Sequence, residues 1–198
     1  MAIKDAQDKL DRRVRQTRDT LLDALLSLMM ERGYERLTIQ NLLDRADIGR
    51  ATFYAHFDSK DELLACSIAR LRSWLVTEWR AMPDQRLGFT LPFFQHLASH
   101  RVIYQKTIVR ESEVSVERHI RQMLRELVRE DLAARCSQEP GGRGDASLDL
   151  ATQYVIGAMW ATIVWWMESG TSLPPEEINA LFQRLAFPGL DVTLGEML

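Results

Sequence analysis

The 198 residues predict an all-α protein of about nine helices, and three observations carry that expectation. Apolar residues return at helical spacing in one segment after another. No stretch alternates apolar and polar residues over the length of a strand. Gly, Pro and Asp gather between the periodic segments, around Gly33, Asp47, Pro83, Pro140, Gly170 and Pro174, where the backbone must turn. Hydrophobic residues make up 46% and charged residues 27%, an ordinary globular balance with enough apolar material for a proper core.

In chain order, residues 1–9 are polar and read as a mobile lead. A first helix is expected from Leu10 to Arg32, with Val14, Thr17, Leu21, Leu25, Leu28 and Met29 on one stripe and Gly33 as its stop. Thr38 can cap a short second helix carrying Ile39, Leu42, Leu43 and Ala46. Asp47-Ile48-Gly49 then turns the chain, because Asp and Gly both accept left-handed or other non-helical backbone. The next helix runs from Arg50 to about His56. Its Phe53 and Phe57, four apart, point inward, which leaves Arg50, Ala51, Tyr54 and Ala55 on an open face. Ser59 and Glu62 form a capping box for a longer helix ending near Arg80.

Beyond the break at 81–85, Phe89 to Leu97 reads as a helix with Pro92 near its first turn, and Val102 to Val109 as a short one. Val114 to Cys136 places Val116, Ile120, Met123, Leu124, Leu127, Val128 and Leu132 on one side, with pairs such as Glu117–Arg121 on the other. Ser137 to Ser147 reads as a flexible loop. Leu148 to Glu168 is the most apolar segment, but Asp149, Thr152 and Gln153 interrupt it and no basic cluster flanks it, so a buried interface helix is expected rather than a membrane span. Gly157 and Ala161 would let another helix approach closely. A last helix starts at Pro174 or Pro175, bears Ile178, Leu181, Phe182 and Leu185, and closes at Pro188-Gly189.

Function enters through the stretch from Thr38 to Leu64. A short helix, a tight turn and a second helix with a narrow open face form a helix-turn-helix, which can enter the major groove of double-stranded DNA. Arg50 suits a guanine edge, and the Ala51 methyl suits a thymine methyl. Tyr54, His56, Lys60 and Thr38 suit phosphate oxygens, which set register without reading sequence. The net charge of −3 argues against a uniformly basic surface. Screening confines fields to roughly 8 Å in the cell, so a local basic face suffices. Lys9, Arg12, Arg13, Arg15 and Arg18 cluster just ahead of the motif, diluted by Asp8, Asp11 and Asp19, and read either as a solvated face or as phosphate or minor-groove contacts.

The spacing resembles the DNA-binding signature of the tetracycline-repressor (TetR) family, with Thr38, Ala46, Thr52, Tyr54, His56, Phe57, Lys60 and Leu63 on pattern. Asp47 stands where that signature has its turn glycine, and Gly49 where it has a capping serine. The resemblance implies a helix-turn-helix DNA-binding domain over residues 1–65 and a helical effector-binding and dimerisation domain over 66–198. It implies DNA contacts from Thr38, Arg50, Ala51, Thr52, Tyr54, His56 and Lys60. It also implies a homodimer through residues 148–168 and 175–187, a palindromic operator, and release by a small-molecule effector. An activator of the same fold, or one answering to a protein partner, is the alternative.

Trp74, Trp79, Phe89, Phe93, Phe94, Tyr104 and Met123 supply either a pocket lining or plain core, and no effector-binding residue is singled out. The Trp160, Val164 and Met167 stripe is expected to be exposed on a single chain and covered by a second copy. No cofactor, metal or enzymatic activity is expected. His96 and His100 stand four apart but lack a third ligand, and the HExxH, Gly-x-Ser-x-Gly and glycine-rich nucleotide patterns are missing. Cys66 and Cys136 read as buried free thiols, and the polar N-terminus, with no signal peptide and no membrane segment, as that of a cytoplasmic protein.

Overall fold

The computed structural model describes residues 2–81, 85–107, 114–135 and 143–195. Among these residues there are nine α-helices and no strand: α1 Ala2–Arg32, α2 Ile39–Ala46, α3 Arg50–Tyr54, α4 Lys60–Arg80, α5 Thr90–Ser99, α6 Arg101–Thr107, α7 Val114–Arg135, α8 Arg143–Glu168 and α9 Pro175–Gly195. The all-α expectation holds, with helix ends corrected at four places. Residues 2–9 are helical rather than a loose lead. They contain no Gly or Pro, and a polar run of Ala, Lys, Asp and Gln propagates a helix as well as an apolar one. α3 stops at Tyr54, where the His56 N–H turns back to the Phe53 carbonyl at 2.9 Å and tightens the last turn.

The expected sixth helix is described from Arg101 to Thr107; residues 108 and 109 lie outside the described residues, as do Pro83, Cys136 and 137–142. α8 starts at Arg143, so 143–147 belong to the helix rather than to the expected loop. α9 runs through Pro188 to Gly195. Proline costs a helix one hydrogen bond but does not have to end it when neighbouring turns are packed, and Ala186 and Leu190 are both buried on either side.

α1 stops at Gly33, whose φ of 78° is the left-handed conformation that ends a helix cheaply in glycine. Its apolar stripe is buried only from Leu21 onward; Asp11 to Thr20 are exposed or half-buried. α4 links the two ends of the molecule. Leu63 and Leu64 are buried near its start, beside α1, and Leu71 and Leu75 further along, against α7. Ion pairs follow the same path: Arg70 meets Asp19 of α1, and Arg72 meets Glu126 and Glu130 of α7.

Buried polar groups fix the remaining helices. The Thr90 hydroxyl donates to Asn179 Oδ1 at 2.7 Å, joining α5 to α9. The Leu87 N–H donates to the buried Asp131 carboxylate at 3.2 Å, which Arg135 also holds. The last carbonyls of α8 would otherwise be orphaned; Arg101 and Gln105 of α6 donate to Trp166 and Met167 there at 2.8 and 3.1 Å.

The faces of α8 and α9 differ from the expected ones. Trp160 and Met167 are buried against the rest of the chain, and Val164 is half-buried. The exposed apolar side of α8 is instead Leu150, Tyr154 and Trp165, with the small residues Gly157 and Ala161 between them. On α9, Ile178 and Phe182 point inward while Leu185 is 75% exposed. No helix among the described residues is long and apolar enough to cross a membrane.

Candidate nucleic-acid interface

The helix-turn-helix is assembled from local signals. Thr38 Oγ1 accepts from the Asn41 N–H, and Asn41 Oδ1 accepts from the Thr38 N–H, both at 3.2 Å. This reciprocal box satisfies two free donors at the start of α2. Asp47 closes α2 in the left-handed conformation, φ 51° and ψ 50°, with its N–H on the Leu43 carbonyl. The turn's strain therefore sits on Asp47, a residue type that tolerates it. Gly49 is extended at φ −74° and caps α3 with no side chain. A Cβ there would meet nothing within 4 Å, so neither backbone nor space demands glycine.

Below α3, Phe53 and Phe57 are buried with ring centroids 6.1 Å apart, and Arg18 of α1 lies 4.7 Å above the Phe57 ring. Arg50, Ala51, Thr52, Tyr54 and Ala55 are all exposed. Tyr54 stands edge-on to Phe53 at 5.4 Å and is about half exposed. Arg50 reaches Gln40 Oε1 at 3.3 Å, so the start of α3 and the first turn of α2, with the exposed Thr38, form one surface. Gln40 had no signal in the sequence beyond its place two residues after a cap. His56 is half-buried behind this surface.

Lys60 is engaged elsewhere. Its ammonium donates to the Leu37, Tyr34 and Glu35 carbonyls at 3.0, 3.3 and 3.4 Å and lies 4.5 Å from the centre of the Tyr34 ring. Tyr34 in turn donates to Asp61 beside Lys60, and burial together with that carboxylate raises its pKa. Lys60 and Asp61 thus clamp the α1–α2 connection to the start of α4. Ser59 caps α4 by accepting from the Glu62 N–H at 3.1 Å, while the Glu62 carboxylate reaches the Asp58 N–H rather than that of Ser59. Cys66 is a half-buried free thiol 3.2 Å from an Arg18 guanidinium nitrogen.

A cavity of about 330 Å³ opens between α1, α4, α5, α6 and α7. Of the side chains named from the sequence as a pocket lining or core, Trp74 and Tyr104 line it; Phe89, Phe93, Phe94 and Met123 are packed core. Trp79 borders a second opening of about 530 Å³ beside Asp131 and Arg135. In the first cavity His96 Nε2 lies 3.0 Å from the Tyr104 hydroxyl, with Trp74 and His100 against the imidazole. Burial, helped by the neighbouring His100, pushes the His96 pKa down to about 4, so the ring is neutral at physiological pH. Burial also raises the Tyr104 phenol. Among the described residues no three His, Cys, Asp or Glu side chains gather as metal ligands.

Two family models match the chain. "Bacterial regulatory proteins, tetR family" covers residues 21–65, and "Transcriptional regulator C-terminal region" covers residues 84–187. A curated relative, the HTH-type transcriptional repressor KstR2 of Mycobacterium tuberculosis, is 24% identical over 197 residues, 92% of this chain and 97% of that protein. Among solved structures, a TetR transcriptional regulator of Streptococcus agalactiae superposes with a TM-score of 0.68 at 20% identity, over 91% of this chain and 98% of its own. The TetR-family repressor FadR of Thermus thermophilus, in complex with lauroyl-CoA, gives 0.60 at 15% identity, over 87% and 94%.

Proposed function

The chain belongs to the tetR family of bacterial regulatory proteins, DNA-binding transcriptional regulators and not enzymes, and on that premise we propose that it is a homodimeric repressor that grips a palindromic operator and lets go when a small molecule binds. The observation that carries this reading is the open face of α3: Arg50, Ala51, Thr52 and Tyr54 exposed above a fully buried Phe53. Arg50 reads a guanine edge, held ready by Gln40. Ala51 is small enough to let the backbone approach and touches a thymine methyl. Thr38, Thr52, Tyr54 and His56 hold phosphate oxygens on either side. Lys60 belongs to this interface as a brace, since its ammonium is spent on backbone carbonyls next to Thr38.

Residues 1–65 act as the reading domain and 66–198 as the effector and dimerisation domain. Dimerisation uses the outer faces of α8 and α9, where Leu150, Trp165 and Leu185 are half to three-quarters exposed. Gly157, with open space beside it, and Ala161 allow a second pair of helices to come close. A two-fold dimer presents α3 twice, which requires half-sites about 34–36 Å apart along one face of the duplex. The site of action is the cytoplasm, where the operator is. Effector release is supported by the 330 Å³ cavity, within the usual range for small-molecule sites, and by the lauroyl-CoA bound to FadR.

The test replaces Arg50 by Ala and measures operator binding beside sedimentation. Loss of roughly tenfold or more in affinity for the specific site, with the dimer and non-specific binding intact, is expected. Unchanged operator affinity would remove α3 from the interface.

A further inference from the structure

The cavity beside Tyr104 is walled in part by α1, the helix that packs directly on the helix-turn-helix. Leu22, Leu26 and Met29 of α1 face it, while the adjacent stripe of Leu21, Leu25 and Leu28 is buried in the core. Lys106 of α6 donates to the Met30 carbonyl of the same helix, so α1 and α6 are joined just beyond the cavity. Anything seated there touches α1 itself and does not need a relay through α4.

The lining also specifies a chemistry. Most of it is aliphatic or aromatic, with the Trp74 ring as a flat wall. Among the described lining residues the permanent cation is Arg70, and Asp19 pairs with it at 3.0 Å, while Asp23 adds a carboxylate to the wall. An anionic ligand therefore meets no surplus of positive charge. The deep polar feature is the Tyr104–His96 pair, whose 3.0 Å bond leaves one donor or acceptor position on each member according to the tautomer. The volume of 330 Å³ lies at the small end of the range of small-molecule sites.

We infer that this cavity is the effector site, and that it takes an uncharged, one- or two-ring compound with a single hydroxyl or carbonyl oxygen directed at Tyr104 and its apolar body against Leu22, Leu26 and Met29 of α1. The inference rests on the reading of the protein as a ligand-released repressor and adds the ligand's class and its direct contact with the DNA-reading end. A ligand of this kind shifts operator affinity because it fits the arrangement in which α1 has moved away from α6 better than the one that grips DNA.

The probe is 2-naphthol, compared with naphthalene and 2-naphthoate, titrated into the full-length protein while tryptophan emission is followed. Trp74→Phe assigns the quenching among the five tryptophans. Saturable binding of 2-naphthol is expected, with naphthalene and 2-naphthoate each weaker by roughly fivefold or more. Tyr104→Phe should erase the preference for naphthol over naphthalene. Leu26→Phe, which fills the cavity from α1, should weaken binding about tenfold, and Met29→Phe serves if the first variant loses helicity. No saturable binding, tighter binding of the anion, or indifference to both fillings would overturn the site and leave the repressor reading standing. Binding that obeys every expectation but leaves operator affinity unchanged would uphold the site's ligand class and sink release by ligand.

Discussion

Replacing Lys60 by Met separates two roles that the same residue can play. Met keeps the apolar stem and removes the charge. In the protein the ammonium makes one good bond, 3.0 Å to Leu37, two longer ones at 3.3 and 3.4 Å, and a contact 4.5 Å from the centre of the Tyr34 ring. A charge-assisted hydrogen bond contributes about 1.5–3 kcal/mol and an exposed cation–π contact about 0.5–1. Partial rehydration of the freed carbonyls offsets some of this, leaving a net loss of about 2 kcal/mol. For a chain of this length that lowers the melting midpoint by about 4–8 °C. A phosphate contact would behave differently: its removal leaves the midpoint alone and flattens the salt dependence of DNA binding by about one unit of log–log slope per subunit. Thermal unfolding and a salt titration of operator affinity, run on the same preparation, decide between them. An unchanged midpoint with a flatter slope would refute the brace.

Three further outcomes follow from the same geometry. Leu185→Glu places two like charges at a self-complementary interface and removes two leucines that the dimer would cover, about 1.5–3 kcal/mol each, so the dimer dissociation constant measured by sedimentation should rise by at least roughly a hundredfold. His96 has a folded pKa of about 4, below its ordinary value, so the unfolded chain binds the extra proton first; stability is full above about pH 6.5 and falls as pH drops toward 4. Denaturant titrations should show a loss of about 2 kcal/mol between pH 8 and pH 5, absent in His96→Asn. Asp47→Gly relieves the left-handed backbone at φ 51° and should raise stability by up to about 1 kcal/mol, read in the same titration.

The sequence was informative wherever a short run of residues decides the structure by itself. Thr38 with Asn41, the Asp47 turn, and Phe53 with Phe57 all act within a few residues, and each stands in the fold as its local chemistry requires. α8 was not legible in the same way. It is apolar nearly all round, so periodicity could not say which side meets the chain's own core; Trp160 and Met167 turned inward and Tyr154 and Trp165 outward. Polarity misled at Ala2 to Lys9, and proline at 188, because a helix ends only where the backbone or its partners make it end. The cavity is assembled from five helices between Leu22 and Ile120, and no single segment carries its shape. Lys60 shows the same limit in one residue: its spacing in the motif is right, but which oxygen it meets is a tertiary fact.

The account's central claim is that a rigid pair offers α3 to DNA twice at a fixed separation. Once the operator is identified, inserting half a helical turn, about five base pairs, between its half-sites tests that claim most directly. Affinity should fall to the non-specific level and recover at least in part when a full turn of about ten base pairs is inserted in an equally spaced duplex that allows the next groove to be reached. Undiminished affinity at the half-turn insertion would mean that each subunit reads DNA alone, and the two-fold account would be wrong.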